Sequence, residues 1–275
     1  MSSIILNYWQ QQPQGVLGLM LDYDGTLTPI VSQPEQAHLT QTQHDLLVRL
    51  CRLPNIRVAI VSGRSVEQLR GFLGPGFQGE ALLLCGLHGG EIYALETGAY
   101  LLSATNNEHT AAAELFRQRL LARLESNLSQ APGWLPPGLL VEDKAQSVAL
   151  HYRLANPTIK EQAVSIFYDC FNAQPTLSTH FRVQPGKEVL ELVPQSYSKA
   201  SAVGFLYNHW CVNGQATLKP CFIGDDLTDE DAFLAVHSYQ GLSVCVGKTL
   251  AETHAKHTLA NVQAVYEALS ALTGN

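Results

Sequence analysis

Short apolar runs that end abruptly in polar or glycine residues dominate both ends of this 275-residue chain. The runs are apolar on both faces, which is typical of parallel strands that are covered by helices on each side. Helical patterns fall between them, and this alternation predicts an α/β fold with a doubly wound parallel sheet. The predicted strands are residues 16–21, 56–61, 81–85, 221–223 and 243–246, and the helices include residues 40–53, 65–72, 229–236 and 260–272.

The middle of the chain has a different order of elements and predicts an inserted α+β domain. Its pattern is αββαββ, with the second strand alternating apolar and polar residues as a half-covered strand does. We expect a core domain of residues 1–104 and 194–275 and a cap domain of residues 105–193. The predicted cap helices are residues 107–128 and 157–171, and the strands are residues 139–143, 147–153, 176–183 and 187–193.

Composition excludes several classes of partner. The formal net charge is −7, which argues against electrostatic binding to nucleic acid or to an anionic membrane surface. No run of about 18 apolar residues is present, so we expect a soluble, cytoplasmic protein. For the oligomeric state, a monomer is the default expectation. The six cysteines include no C-x-x-C pair and lie mostly in apolar runs, which predicts buried free thiols.

Polar residues gather where four of the predicted strands end. The carboxyl ends of parallel strands meet at one edge of the sheet, where ligands bind in such folds. Carboxylates that converge there are costly unless a cation lies among them, and hard oxygen ligands favour Mg²⁺. The alternative for each aspartate alone is a helix cap or a turn. The residues are Asp22, Asp24, Ser62, His88, Asp225, Asp226 and Asp229.

The sequence Asp22-Tyr-Asp24-Gly-Thr-Leu27 resembles the first motif of the haloacid dehalogenase superfamily. Ser62, Lys199 and Gly224-Asp225-Asp226-x-x-Asp229 occur where that superfamily has its second, third and fourth motifs. The resemblance covers the α/β core and implies a haloacid-dehalogenase-like fold.

A narrower resemblance extends over both domains. Five segments look like the trehalose-6-phosphate phosphatase family, which implies Mg²⁺-dependent hydrolysis of trehalose 6-phosphate to trehalose and phosphate through an aspartyl-phosphate. The segments are residues 21–30 (LDYDGTLTPI), 86–92 (GLHGGEI), 141–153 (VEDKAQSVALHYR), 187–192 (KEVLEL) and 223–233 (IGDDLTDEDAF).

The resemblance also implies a role for each core residue. Asp22 would be the nucleophile, and Asp24 would protonate the leaving sugar oxygen and later activate water. Asp22, Asp225 and the backbone carbonyl of Asp24 would hold Mg²⁺. Ser62 would bond a phosphoryl oxygen and Lys199 would neutralise charge, with Asp226 and Asp229 in support. Ala200 follows Lys199 where the family usually has glycine, and a solvated surface lysine is the alternative.

Charged residues on the predicted cap strands form a mixed acidic and basic set. A period of two places Lys187, Val189 and Glu191 on one face, and it places Glu142 and Lys144 on a shared face if the first cap strand continues as far as Lys144. Carboxylates accept protons from hydroxyls while lysine and arginine donate, so the set suits a ligand rich in hydroxyls. The family resemblance implies sugar recognition by Glu142, Lys144, Arg153, Lys187 and Glu191. The alternative is a network of surface salt bridges.

Arg64 and His88 are further candidates for substrate binding. Arg64 could reach phosphate or the cap, or be solvated, and His88 could be structural. Alternatives for the whole chain are another sugar phosphatase, a phosphomutase, or a non-catalytic sugar-phosphate sensor. Retention of Asp22, Asp24 and Asp225 argues against the sensor.

Overall fold

The computed structural model describes residues 4–11, 15–31, 33–103, 107–128, 134–211 and 218–274. The chain divides into two compact units, Met1–Ser103 with Ser198–Asn275, and Ala104–Tyr197. The second unit extends a few residues past the expected boundary at residue 193. Gln195 donates its backbone N–H to the carbonyl of His180, and the Tyr197 hydroxyl donates to Gln146 at 2.6 Å, which ties this segment to the second unit.

The helices and strands are numbered in chain order. The strands are β1 (Val16–Leu21), β2 (Ile56–Val61), β3 (Leu82–Gly86), β4 (Glu91–Ala94), β5 (Ala99–Leu102), β6 (Leu140–Asp143), β7 (Val148–His151), β8 (Phe181–Gly186), β9 (Val189–Pro194), β10 (Leu218–Gly224), β11 (Leu242–Val246) and β12 (His257–Leu259). The helices are α1 (Ile4–Gln10), α2 (Gln41–Cys51), α3 (Val66–Leu73), α4 (Asn107–Leu128), α5 (Pro157–Asn172), α6 (Leu177–His180), α7 (Lys199–Cys211), α8 (Glu230–Ser238) and α9 (Val262–Ser270).

The first unit, called the core unit below, is built on one sheet. Its described residues form eight strands in the order β12-β11-β10-β1-β2-β3-β4-β5. The pairs from β12 to β3 are parallel, whereas β4 and β5 extend the sheet in antiparallel fashion. The parallel sheet that the apolar runs predict is confirmed.

Helices cover both faces of this sheet because alternate strand residues enter two separate cores. Leu19 and Leu21 of β1 pack in one cluster with α2, α3 and α9, while Met20 packs in the other with α7 and α8. All three side chains are fully buried. Two-sided burial is the reason that the strands read as continuous apolar runs, and it confirms the doubly wound arrangement.

The second unit, called the cap unit below, pairs β6, β7, β9 and β8 in that order as an antiparallel sheet. One face packs on α4 and α5 through Val148, Leu150, Leu190 and Leu192. The opposite face presents Glu142, Ala149, Glu191 and Gln184 in one row across the strands. This α+β unit agrees with the predicted fold class.

Two predicted cap features are wrong in detail. The segment predicted as a strand from residue 176 begins with the helical turn α6. Two hydrogen bonds precede and stabilise this turn: the N–H of Leu177 donates to the carbonyl of Gln174, and the Ser178 hydroxyl donates to the carbonyl of Pro175. The β8–β9 hairpin turns at Lys187 and Glu188 rather than at residues 184–186, with Gly186 opposite Val189. Glu188 has φ +61°, the left-handed conformation that closes the turn.

Two general expectations can be compared directly with the structure. In the described ranges, no helix is long and apolar enough to cross a membrane. All six cysteines lie in described segments and are free thiols, and all but Cys211 are buried. Burial raises the pKa of Cys51 to about 12, which keeps that thiol protonated and unreactive.

Candidate active site

Four neighbouring strands deliver the predicted polar residues to one edge of the core sheet. Asp22 follows β1, Ser62 follows β2, His88 lies just beyond β3, and Asp225 follows β10. The register aligns the strand ends, because Leu21 lies opposite both Ile60 and Ile223. The sheet topology therefore brings these residues together, as expected for a parallel sheet.

Lys199 is buried between two aspartates. Its ammonium group donates to Asp22 Oδ1 at 2.6 Å and to Asp229 Oδ1 at 2.7 Å, and all three side chains are at most 6% exposed. Burial alone would lower the pKa of Lys199, but the two carboxylates outweigh it and raise that pKa. Lys199 is thus a buried cation, and the alternative of a solvated surface lysine is wrong.

Asp229 is held on both of its oxygens. Oδ2 accepts the backbone N–H groups of Asp225 and Asp226, each at 2.9 Å, while Oδ1 accepts from Lys199. Asp229 therefore fixes both Lys199 and the loop that carries Asp225. Asp226 accepts the N–H of Leu227 at 2.7 Å and begins the helical turn before α8, so its contact is that of a capping residue.

The donor set fits a hard divalent cation. Carboxylate oxygens of Asp22, Asp225 and Asp229 lie within 4.8 Å of one another and all three residues are buried. Burial raises the pKa of Asp22. The nearby charges of Asp229 and Asp225 raise this pKa further, whereas Lys199 lowers it. Three buried carboxylates around one lysine leave excess negative charge, which a cation would neutralise. Because Asp229 already accepts three hydrogen bonds, Asp22 and Asp225 are the side chains best suited to hold Mg²⁺.

Gly25 allows the loop that follows β1 to lie close to Asp225. Its φ is +92°, and a Cβ at this position would lie 2.1 Å from Asp225 Oδ2. Its N–H donates to the carbonyl of Thr28 at 2.7 Å, which closes the turn after Asp24. Only glycine allows both this backbone conformation and this close contact, so the loop can approach Asp225 at the end of β10.

Arg64 forms a two-point ion pair with Asp24. Nε donates to Oδ2 and Nη2 to Oδ1, both at 2.6 Å. The guanidinium carbon lies 4.5 Å from the Phe72 ring centre and 5.7 Å from that of Tyr23. Arg64 is thus buried rather than solvated, and it holds the side chain that the resemblance identifies as the acid and base.

The Ser62 loop and the His88 loop support each other. Ser62 is buried, its hydroxyl accepts the N–H of Arg64 at 3.2 Å, and its carbonyl accepts the N–H of His88 at 2.9 Å. His88 has φ +55°, and its ring would lie 2.7 Å from a Cβ placed on Gly63. His88 is therefore packed on the loop that carries Ser62.

In the cap unit, two predicted residues form one buried ion pair. Lys144 Nζ donates to Glu191 Oε2 at 3.0 Å, and the Ser147 hydroxyl donates to Oε1 at 2.7 Å. A neighbouring pair joins Glu142 Oε2 to His151 Nε2 at 2.8 Å. Lys144, Glu191 and Ser147 are more deeply buried than an ordinary surface salt-bridge network.

Arg153 and Lys187 lie elsewhere in the cap unit than the strand pattern predicts. Strand β7 ends at His151, and Arg153 follows it, donating through Nη2 to the carbonyl of Lys187 at 2.8 Å. Lys187 itself is exposed in the two-residue turn and is not a strand residue. The expected shared strand face of Lys187 and Glu191 is therefore wrong, because β9 begins only at Val189.

The sequence profile of the trehalose-phosphatase family matches residues 20–265. The chain belongs to this family. The match spans the core strands that carry Asp22 and Asp225 as well as the whole cap unit, and it confirms the resemblance found in the motifs.

Individual relatives agree with the family. Trehalose-phosphate phosphatase B of Arabidopsis thaliana is 28% identical over 265 residues, which cover 92% of this chain and 65% of that one. Trehalose-phosphate phosphatase of Mycobacterium avium is 33% identical over 236 residues, covering 83% of this chain and 54% of that one. The C-terminal domain of the Candida albicans trehalose-6-phosphate phosphatase has the same fold, with a TM-score of 0.80, 23% identity and coverage of 98% and 96%.

Two contacts in this member of the trehalose-phosphatase family were not predicted from the sequence. Ser147 binds the carboxylate of Glu191 and directly precedes β7, and His151 binds the carboxylate of Glu142 and ends that strand. The alternating pattern of residues 147–153 places them on the side opposite Val148 and Leu150. Their partners depend on the register of three strands, which the pattern does not supply.

Proposed function

We propose that the protein is a Mg²⁺-dependent phosphatase that hydrolyses trehalose 6-phosphate to trehalose and phosphate. The observation that carries the proposal is the buried Lys199 between Asp22 and Asp229, with Asp225 beside them at the strand ends. Such a carboxylate cluster suits covalent phosphoryl transfer, which needs a nucleophile and positive charge at one point. Family membership supports the substrate.

In the proposed reaction, a carboxylate oxygen of Asp22 attacks phosphorus, and the bond to the sugar oxygen breaks. Once Asp24 has left Arg64 and taken up a proton from solvent, it gives that proton to the sugar oxygen. It then takes a proton from the water that cleaves the aspartyl-phosphate, which frees Asp22 and leaves Asp24 protonated again. Asp24 must exchange its contact with Arg64 for contact with the leaving oxygen. Ser62 bonds a phosphoryl oxygen, and Lys199 stabilises charge while fixing Asp22.

Mg²⁺, held by Asp22 and Asp225 with the Asp24 carbonyl as a further ligand, would neutralise the repulsion between a carboxylate and a phosphate. We propose that the cap unit recognises the sugar through Glu142, Lys144 and Glu191, whose carboxylates and ammonium suit hydroxyl groups. Lys187 contributes from the β8–β9 turn, Arg153 from the segment after β7, and Arg64 and His88 from the core unit. A cytoplasmic location and a monomeric state belong to the same proposal.

Phosphate release from a panel of sugar phosphates, with Mg²⁺ and with a chelator, tests this function. We expect turnover of trehalose 6-phosphate only with the metal, and a loss of at least about a thousandfold in Asp22→Asn. Thr158→Ala, which changes an exposed residue on α5, is the control for the effects of preparing and assaying a variant. Full activity in Asp22→Asn would exclude the covalent mechanism.

The panel also separates the alternatives. Preferred turnover of glucose 6-phosphate would indicate another sugar phosphatase, and conversion to an isomeric sugar phosphate without phosphate release would indicate a phosphomutase. Binding of trehalose 6-phosphate without turnover in the unaltered protein would indicate a sensor. The intact set of Asp22, Asp24, Lys199 and Asp225 favours catalysis.

A further inference from the structure

The inner strand β7 and Ser147, the residue before it, present three small or polar side chains on the polar face of the cap sheet. Ser147, Ala149 and His151 alternate with Val148 and Leu150, which belong to the cap core. Ser147 and Ala149 are buried, whereas the His151 side chain is 27% exposed. Apolar side chains would be ordinary choices for buried positions, so the hydroxyl of Ser147 needs an explanation.

Each of the two polar residues fixes a carboxylate on a neighbouring strand. A carboxylate only accepts, so the 2.8 Å contact requires His151 Nε2 to carry the proton that it shares with Glu142 Oε2. On the other side, Ser147 donates to Glu191 Oε1 while Lys144 donates to Oε2. Both oxygens of Glu191 and one oxygen of Glu142 are thereby bound before any ligand binds.

Ala149 separates the two carboxylates. It lies opposite Glu142 on β6 and opposite Glu191 on β9, so the two glutamates are in one row. Two strand spacings place their Cα atoms about 10 Å apart. Because the Ala149 side chain is only a methyl group, it leaves space between the two longer glutamate side chains of this row.

We infer that Ser147 and His151 are positioning residues for a sugar ring that lies over Ala149, with Glu142 and Glu191 as its hydroxyl acceptors. The inference rests on the proposed function and adds the residues that hold its sugar contacts. Lys144 offsets the charge of Glu191 but not that of Glu142, so these three side chains keep a net negative charge and suit the uncharged ring rather than the phosphate group. Carboxylates fixed in advance lose less conformational freedom when the sugar binds.

Steady-state kinetics on Ser147→Ala and His151→Ala test the inference. We expect each to raise KM for trehalose 6-phosphate about tenfold and to change kcat less than about twofold. Product inhibition supplies a second readout: the Ki of trehalose should rise with KM, while the Ki of inorganic phosphate should stay constant. Ser147→Thr and His151→Gln keep a donor and should recover most of the affinity.

His209→Ala, an exposed histidine on α7, is the matched control. Unchanged KM and trehalose Ki in either alanine variant would overturn the inference for that residue. Parallel changes in both Ki values with a lower melting temperature would show a merely structural role. An unaltered protein that does not hydrolyse trehalose 6-phosphate would instead overturn the proposed function, before any variant is compared.

Discussion

Lys199 is the residue on which the charge balance of the site depends. It lies 3% exposed between Asp22 and Asp229, and the hydrogen bonds to both carboxylates are short. Removing one member of a buried ion pair leaves the other charge desolvated, which is more costly than the pair itself is stabilising. Lys199 therefore contributes to folding as well as to the proposed chemistry.

We expect Lys199→Met to lower the free energy of unfolding by about 3 kcal/mol in the presence of a chelator. Mg²⁺ should restore part of this loss, because a cation near Asp22 replaces the missing positive charge. Urea unfolding with and without Mg²⁺ measures both effects. The double variant Lys199→Met, Asp229→Asn is the control, and equal stability of the single and double variants would contradict the charge argument.

The proposed role of Asp24 as acid and base can be tested with substrates that have different leaving groups. In Asp24→Asn, no proton is available for a sugar oxygen, whereas nitrophenolate leaves without one. We expect hydrolysis of trehalose 6-phosphate to fall at least about a hundredfold, and p-nitrophenyl phosphate to give a burst near one equivalent of nitrophenol. Rapid quenching measures the burst. An equal slowing of both substrates with no burst would argue against Asp24 as the acid and base.

At the level of elements, the strand ends were predictable because parallel strands finish at one edge whatever their order. Asp22, Ser62 and Asp225 needed only that rule. Strands β4, β5 and β12 and helix α1 were not predicted, since short or exposed segments carry little periodicity. The predicted position of the cap hairpin turn was wrong because the turn has Lys-Glu at its centre, and the positive φ of Glu188 cannot be recognised from the sequence.

The sequence predicts which residues share a face of a strand, but it does not predict their hydrogen-bond partners. The polar face of β7 was visible in the alternation of residues 147–153, yet the contact of His151 with Glu142 follows from the β6–β7 register. Arg64 was expected near phosphate or the cap, and its two bonds to Asp24 depend on the folding of two separate loops. Patterns within one segment predict faces, whereas contacts between segments require the fold.

Helix α8 and strand β11 are joined by a titratable contact. His237 Nε2 lies 2.6 Å from the Ser243 hydroxyl, which also accepts the N–H of Lys256. Burial lowers the pKa of His237, and the nearby Lys256 and His254 add to the decrease. The folded protein therefore favours the neutral ring more than the unfolded chain does.

This shift predicts a loss of stability in mild acid. Above the unfolded pKa of about 6.5 the ring is neutral in both states, and the stabilisation is complete. As the pH falls below that value, the unfolded chain binds the proton first, and the free energy of unfolding decreases until the folded pKa is passed. Urea unfolding between pH 7.5 and 5.5 should show a smaller decrease in His237→Gln than in the unaltered protein. Parallel curves would contradict the assignment.

At the scale of the whole molecule, the proposed substrate needs both units. The buried carboxylates belong to the core unit, while the polar face of β6, β7 and β9 belongs to the cap unit. The chain passes between the units twice, after Ser103 and after Tyr197. The proposed function assigns the phosphate group of the substrate to the core unit and its sugar to the cap unit.

We therefore expect the protein to become more compact when trehalose 6-phosphate binds. We expect Asp22→Asn with Mg²⁺ to bind the substrate without turnover, so small-angle scattering can compare its radius of gyration with and without ligand. Inorganic phosphate, which fits only the core site, should give no compaction. Glu142→Ala should weaken the response by removing a sugar acceptor, so that more substrate is needed for the same change. Identical profiles with and without saturating trehalose 6-phosphate would mean that substrate binding does not draw the two units together.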